Sequence, residues 1–337
     1  MNIKDIARLS GVGVSTVSRV LNNHPDVKES TREKVLEIIK ESNYIPNNSA
    51  RILKKNNTNN IGVLVKGVFN PFFSEMVNVI GNILADSSYT MVLQQNDFSF
   101  DDDFDTLQAF IKEKRLQGVI CLGVNFDTVS KECIDLLEVP VVLTSANFDL
   151  NKVGYSSVGI DNVKSAYMAT KYLIELGHRN IVVMIGEKND IGISWTRLKG
   201  YQKALKENNI TFNTNNMLIG DYSSEKAYEV MKEFLKTNKD ITAVFSISDI
   251  MAIGIAKAIT EEGLVIGKDI SLVGFDGLDI SKFYSPGITT VKQPKKLMAE
   301  KSTELLINLL KKKVDNTHIV LDTELIERES CGKIEGR

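Results

Sequence analysis

The chain has 337 residues, 43% of them hydrophobic and 25% charged, with a formal net charge of −2. That length and balance point to a globular chain of more than one domain, long enough for a sizeable buried core. Three cysteines, odd in number and without a CxxC pair, speak against a disulfide framework and for a reduced cytoplasmic chain. No signal peptide opens the sequence and no apolar run approaches membrane-spanning length, so neither export nor insertion is expected. The charge is unevenly placed: residues 1–60 carry ten Lys/Arg against six Asp/Glu, net +4, which leaves −6 for the rest. A basic head on an acidic body is the asymmetry expected when one end meets phosphate.

Ile3, Ile6, Ala7 and Leu9 recur at helical spacing and predict the apolar face of a first helix. Ser10, Gly11 and Gly13 break it, since both glycines tolerate backbone angles that other residues avoid. A second short helix follows, with Val17, Val20 and Leu21 inward and Val14, Ser15, Ser18 and Arg19 outward. Helix, tight turn and short polar-faced helix is the arrangement that sets a second helix in the DNA major groove. A third amphipathic helix is expected over 31–41, burying Val35, Ile38 and Ile39, with Ser30 or Thr31 as its N-cap. A helical pattern over 48–55 then runs into an asparagine-rich linker, which divides head from body near residue 60.

The body alternates apolar runs (61–65, 90–93, 119–122, 141–143, 158–160, 181–185, 243–247, 272–275) with amphipathic helical stretches, and a last strand is expected over 323–328. Continuous apolar strands separated by helices predict parallel sheets covered on both faces. Some 270 residues of such units fit two lobes better than one wide sheet. The fold class is therefore α/β, with an N-terminal all-α head and a two-lobed body.

Local motifs suggesting other chemistry fail their context tests. Gly11-x-Gly13-x-x-Thr16 lacks the third glycine of a dinucleotide loop and follows a helix. Gly192-Ile193-Ser194-Trp195 begins like a nucleophile elbow but has no closing glycine. His24, His178 and His318 show no ligand spacing, and Asp101 to Asp103 read as a solvated helix start, so no metal and no cofactor are expected. No nucleophile and base converge, so an enzyme is not expected. The closing Ile334-Glu335-Gly336-Arg337 spells a protease-recognition sequence and carries no functional weight.

The chain resembles the LacI/GalR family of bacterial transcription regulators over essentially its whole length. The residues that carry the resemblance are Ile6-Ala7, Gly11-Val12, Thr16-Val17-Ser18-Arg19-Val20-Leu21-Asn22, Tyr44-x-Pro46-Asn47 and Ala50-Arg51-x-Leu53 in the head. In the body they are Asn70-Pro71-Phe72-Phe73, Leu176-Gly177-His178-Arg179, Arg197-x-x-Gly200-Tyr201, Ser248-Asp249-x-Met251-Ala252-x-Gly254, Gly274-Phe275-Asp276 and Thr289-Thr290-Val291-x-Gln293-Pro294. The resemblance implies a helix-turn-helix head (1–46), a hinge helix and linker (47–60) and a body resembling a periplasmic sugar receptor (61–337). It also implies three crossings between the lobes, lobe one taking about 61–161 and 291–321 and lobe two about 162–290 and 322–330.

By the same resemblance, Val14 and Ser15 occupy the main base-reading positions. Valine offers only apolar contact, for example to a thymine methyl, and serine is a permissive partner. Arg19 is long enough to fork onto guanine O6 and N7, its alternatives being a phosphate clamp or a salt bridge. Thr16, Ser18, Asn22, Lys4 and Lys28, with the amides that open helix one, are expected on phosphates. Asn47, Ala50, Arg51 and Leu53 belong to the hinge segment, where the leucine is implied to wedge into a minor-groove base step. Two subunits side by side imply a homodimer on a pseudo-palindromic operator.

In two-lobed receptors the ligand sits outside the carboxyl ends of the strands. Phe72 and Phe73 follow the first strand and either stack on a ring or pack the core. Arg197 suits adjacent hydroxyls or a carboxylate, and Ser248, Asp249 and Asp276 follow strands, with a helix N-cap as the alternative for Asp249. Tyr222 and Ser145 come from the resemblance alone. A sugar or sugar phosphate is the implied effector and a purine the minority case. The absence of a second arginine near Arg197 disfavours a strongly anionic ligand. The competing reading is a global regulator of the same family controlled by a phosphorylated partner protein, against which 282–286 contains no arginine.

Overall fold

The computed structural model describes residues 1–21, 23–44, 59–67, 70–96, 103–124, 126, 129–146, 154–187 and 192–334. They fall into two units, Met1–Thr58 and Asn59–Arg337.

The head consists of α1 (Ile3–Ser10), α2 (Val14–Leu21) and α3 (Glu29–Glu41). Asn2 caps α1: its side chain accepts from the Lys4 and Asp5 amides, and the Asp5 carboxylate accepts in return from the Asn2 amide at 3.0 Å. Ile6, Ala7, Val17, Val20 and Val35 are buried, and Ile3, Val12, Leu21, Val27, Ile38, Ile39 and Tyr44 pack around them. Leu9 departs from expectation at 53% exposed. Helix geometry puts Ile3, Ile6, Ala7 and Ser10 on one stripe and leaves Leu9 beyond its edge. Ser10 joins that stripe because its Oγ donates to the Ile6 carbonyl at 2.6 Å, so it ends the helix rather than breaking it. Of the two glycines only Gly11 needs its freedom, at φ +66. The third helix starts two residues before the expected 31, with Lys28 at its N-cap and no side-chain bond there. Ser30 and Thr31 lie inside its first turn.

The body starts with β1 (Asn60–Lys66), α4 (Pro71–Asp86), β2 (Thr90–Asn96), α5 (Asp103–Lys114), β3 (Gly118–Leu122), α6 (Lys131–Asp135), β4 (Val141–Thr144) and β5 (Ser156–Ile160). It continues with α7 (Asn162–Glu175), β6 (Ile181–Ile185), α8 (Ile193–Glu207), β7 (Met217–Ile219), α9 (Ser224–Thr237), β8 (Ala243–Ser246), α10 (Asp249–Glu261) and β9 (Ser271–Asp276). The last elements are α11 (Asp279–Phe283), β10 (Thr289–Lys292), α12 (Lys295–Leu310), β11 (His318–Leu321) and β12 (Glu324–Ile326).

Two sheets result, ordered β2-β1-β3-β4-β5-β11 and β7-β6-β8-β9-β10-β12. Every pairing is parallel except that of β12 with β10. The central strands are largely apolar because both faces are covered: in β1, Val63 and Val65 pack into one cluster and Leu64 into another. The chain crosses between sheets after β5, after β10 and after β11. The second crossing falls at Gln293-Pro294, beyond the expected 290/291, because Thr289–Lys292 pairs with β9. From there α12 packs on β3, β4 and β5, with Thr144 Oγ1 donating to Ser302 Oγ at 2.7 Å.

Candidate DNA-reading face and effector cleft

In the head, α2 presents Val14, Ser15 and Arg19 outward, with Thr16 and Ser18 half-buried. Arg19 Nη1 lies 3.1 Å from Asp26 Oδ2, so the salt bridge weighed as its alternative is present in the chain by itself. Lys4 and Lys28 are exposed. The amides of Lys4 and Asp5, expected on phosphates, are taken by the Asn2 cap, which leaves the exposed Lys4 side chain as the cationic group at that end. Asn22, Asn47, Ala50, Arg51 and Leu53 lie outside the described residues.

In the body, the polar groups gather at the carboxyl ends of the second sheet. Gly200 lets α8 lie against α7, since a Cβ there would collide with the Val163 carbonyl. That approach seats Arg197, only 4% exposed, with Nε donating to Asn162 Oδ1 at 2.9 Å and Nη1 to the Ile247 carbonyl at 2.6 Å. Its guanidinium carbon stands 3.6 Å from the centroid of the Phe275 ring, and Nη1 is 3.6 Å from Asp276 Oδ1. Gln293 Nε2 donates to the same carboxylate oxygen at 2.8 Å. The buried Oε1 of Gln293 has no hydrogen-bond partner among the described residues. Lys295 links the lobes: its ammonium is 2.9 Å from Glu75 of α4 and donates to the Gly277 carbonyl, after β9, at 3.3 Å.

Tyr222, at φ +51, lays its ring against Gly186 and shares a 2.8 Å hydrogen bond with Ser194 Oγ, which also accepts from the Gly186 amide at 3.1 Å. Ser145 follows β4 at φ +52, its amide donating to the Val158 carbonyl at 3.1 Å. Phe72 and Phe73 are both buried, edge to face with centroids 5.3 Å apart, in the apolar core with Met76 and Ile80. Core packing is thus what their geometry shows.

Asp249 is held by partners of its own. It is wholly buried, and Oδ2 accepts from the Leu278 amide and Oδ1 from Thr290 Oγ1, each at 2.7 Å. With both oxygens occupied it ties α10 to the turn after β9, and Gly274 has no side chain because one would collide with that carboxylate. The N-cap role belongs to Ser248, whose Oγ accepts from the Ile250 amide at 3.2 Å. Asn162, Ser194, Gln293 and Lys295 carry no local sign of these contacts in the sequence. Gln293 alone among them stands in a motif that the LacI/GalR resemblance rests on.

Burial pushes both carboxyls up, Asp249 to about 7, with the charge of Asp276 adding to the effect, and Asp276 to about 6, with Arg197 pulling it back. A carboxylate with a raised folded-state pKa holds more protons folded than unfolded, so its contribution to stability falls as pH rises from the ordinary carboxylate range through the raised values. Body stability is therefore expected to decline from about pH 4 to 7. A tenfold difference in proton affinity between folded and unfolded chain is worth about 1.4 kcal/mol, or a few degrees in Tm. The check is calorimetry of the parent against Asp249→Asn. The difference removes the opposing contribution of His178, whose basicity burial lowers, and an identical pH slope in both would contradict the assignment.

Among the described residues no helix is long and apolar enough to cross a membrane, and no group of three His, Cys, Asp or Glu side chains could hold a metal. Residues 2–47 match the model of the bacterial regulatory proteins of the lacI family, and residues 170–331 that of the periplasmic binding protein-like domain. The HTH-type transcriptional regulator MalR of Clostridium butyricum is 63% identical over 337 residues, covering 99% of this chain and 100% of that protein. RegA of Clostridium saccharobutylicum, also an HTH-type transcriptional regulator, is 36% identical over 98% of each chain. Among solved structures, the lac repressor dimer bound to operator and the anti-inducer ONPF matches with a TM-score of 0.83 at 27% identity, covering 98% of each chain. The complex of the regulator CelR with cellobiose matches at 0.72 and 28%, covering 98% of this chain and 99% of that one. The chain belongs to the LacI family of bacterial regulatory proteins. It is a transcriptional regulator with a DNA-binding head and a periplasmic-binding-protein-like body.

Proposed function

We propose that this regulator represses transcription as a homodimer on a pseudo-palindromic operator and takes a sugar as effector in the cleft between its lobes. One observation carries the effector reading: Arg197, Asp276 and Gln293 form a buried donor and acceptor array, and Gln293 Oε1 has no partner among the described residues. A buried acceptor that makes no hydrogen bond is costly, and a ligand hydroxyl donating to it removes the cost. Cation, carboxylate and amide side by side suit vicinal hydroxyls. Support also comes from the sugar complex of the similar CelR, and the dimer on operator of the similar lac repressor supports the assembly.

As mechanism, sugar between the lobes competes for groups that now hold one another, shifts the population between two lobe arrangements and so alters the spacing of the two hinge segments. Lys295 stands where that change is felt, on Glu75 of one lobe and Gly277 of the other.

The test is isothermal calorimetry of the full chain against mono- and disaccharides, sugar phosphates and nucleobases. A neutral sugar is expected to bind, and Gln293→Leu to weaken it at least tenfold, about 1.4 kcal/mol. Binding of a nucleobase alone, or unchanged sugar affinity in Gln293→Leu, would overturn the reading.

A further inference from the structure

We propose that Asp26 is a positioning residue for DNA reading, holding the Arg19 guanidinium for the base edge; the inference rests on Arg19 being a base-reading side chain. Asp26 lies in the loop between α2 and α3 and uses both carboxylate oxygens, Oδ2 3.1 Å from Arg19 Nη1 and Oδ1 2.7 Å from His24 Nδ1. The loop is itself held from behind. Arg32 of α3, its side chain 14% exposed, donates from Nη1 to Asn23 Oδ1 and from Nη2 to the His24 carbonyl, each at 2.7 Å. The His24 amide donates back to the Arg19 carbonyl at 2.9 Å, closing the circuit onto α2. Contacts thus run from the packed third helix through the loop to a carboxylate, and from the carboxylate to the one long cationic side chain on the outer face of α2.

A guanidinium is planar with five N–H donors, and a carboxylate on one nitrogen fixes the plane while leaving the others for a guanine edge. Holding an otherwise mobile arginine in place lowers the ordering cost of binding. The same negative charge discourages Arg19 from closing on a phosphate, the contact that carries no sequence information. Both effects raise discrimination more than affinity. Neither is expected to add much to the fold, because exposed ion pairs contribute little stability.

The experiment uses the full chain and a duplex it selects from a random pool, with a scrambled duplex as reference at one fixed salt concentration. Asp26→Asn is expected to lower the ratio of selected to scrambled affinity about tenfold, to leave scrambled binding unchanged or tighter, and to leave the melting temperature of the head in place. The loss should fall on the base pair of each half-site that Arg19→Ala also relaxes, and Asp26→Asn should change nothing further in an Arg19→Ala background. An unchanged ratio in Asp26→Asn, or the same loss in the Arg19→Ala background, overturns the proposal while leaving Arg19 as reader. A ratio unchanged in Arg19→Ala itself overturns both.

Discussion

Arg197→Met is expected to weaken effector binding by at least a hundredfold while leaving operator affinity of the effector-free protein nearly unchanged. The argument is one of replacement. The Arg197 guanidinium is occupied by Asn162, the Ile247 carbonyl and Asp276, and its face lies on Phe275. A polyhydroxylated ligand entering the cleft exchanges some of these partners for hydroxyls at little net cost, because a charged donor in a site this dry makes strong hydrogen bonds. Methionine keeps the stem volume and removes every donor. It also leaves Asp276 buried without its cation, and breaking one side of a buried pair costs about 3–5 kcal/mol. Lost binding could then be a matter of lost folding. The double variant Arg197→Met with Asp276→Asn separates the two, since it removes the stranded charge: it is expected to recover most of the melting temperature and none of the sugar binding. Calorimetry on both variants decides, and sugar affinity intact in either would sink the assignment of the cleft.

Why that site was only partly legible in sequence follows from what distinguishes its residues. Asp249 and Asp276 both stand at the carboxyl end of a strand, and nothing local separates them. Burial and the partners of each oxygen do, because Asp249 is used up by Leu278 and Thr290 whereas Asp276 meets Arg197 and Gln293. Phe72 and Phe73 read equally well as stacking or core residues, and only their depth beside Met76 and Ile80 decides. Lys295 gave no signal at all, since its link between lobes needs Glu75, 220 positions earlier, brought beside it by the second crossing. The parallel sheets were legible for the opposite reason: most strands covered on both faces are apolar runs, and that pattern is local. Short β7 and edge strand β11 escaped it, their residues being half-buried or exposed, and β10 escaped it because Val291 is the one apolar residue among Thr289, Thr290 and Lys292. In the head, periodicity found the stripe but counted Leu9 into it in place of Ser10, whose hydroxyl is satisfied within its own helix.

Ile6→Ala is expected to abolish operator binding and leave the body untouched. Among the described residues of the head the buried apolar side chains are Ile6, Ala7, Val17, Val20 and Val35, so one of them is a large share of its core. Truncating a buried isoleucine to alanine costs about 2–5 kcal/mol, and a core this small rarely supplies more than about 3–5 kcal/mol in total. The substitution therefore consumes most of the stability of a unit whose three helices cannot place Val14, Ser15 and Arg19 once they separate. Leu9→Ala is the control, one turn away on the same helix and 53% exposed, with an expected cost within about 0.5 kcal/mol and operator affinity retained. Differential scanning calorimetry with a sugar titration reads the outcome. The Ile6→Ala chain should lose the transition of the head and its DNA binding, while the transition of residues 59–337 and the sugar affinity stay at parental values. A body transition that moved with the head would mean that the two units of this chain fold as one.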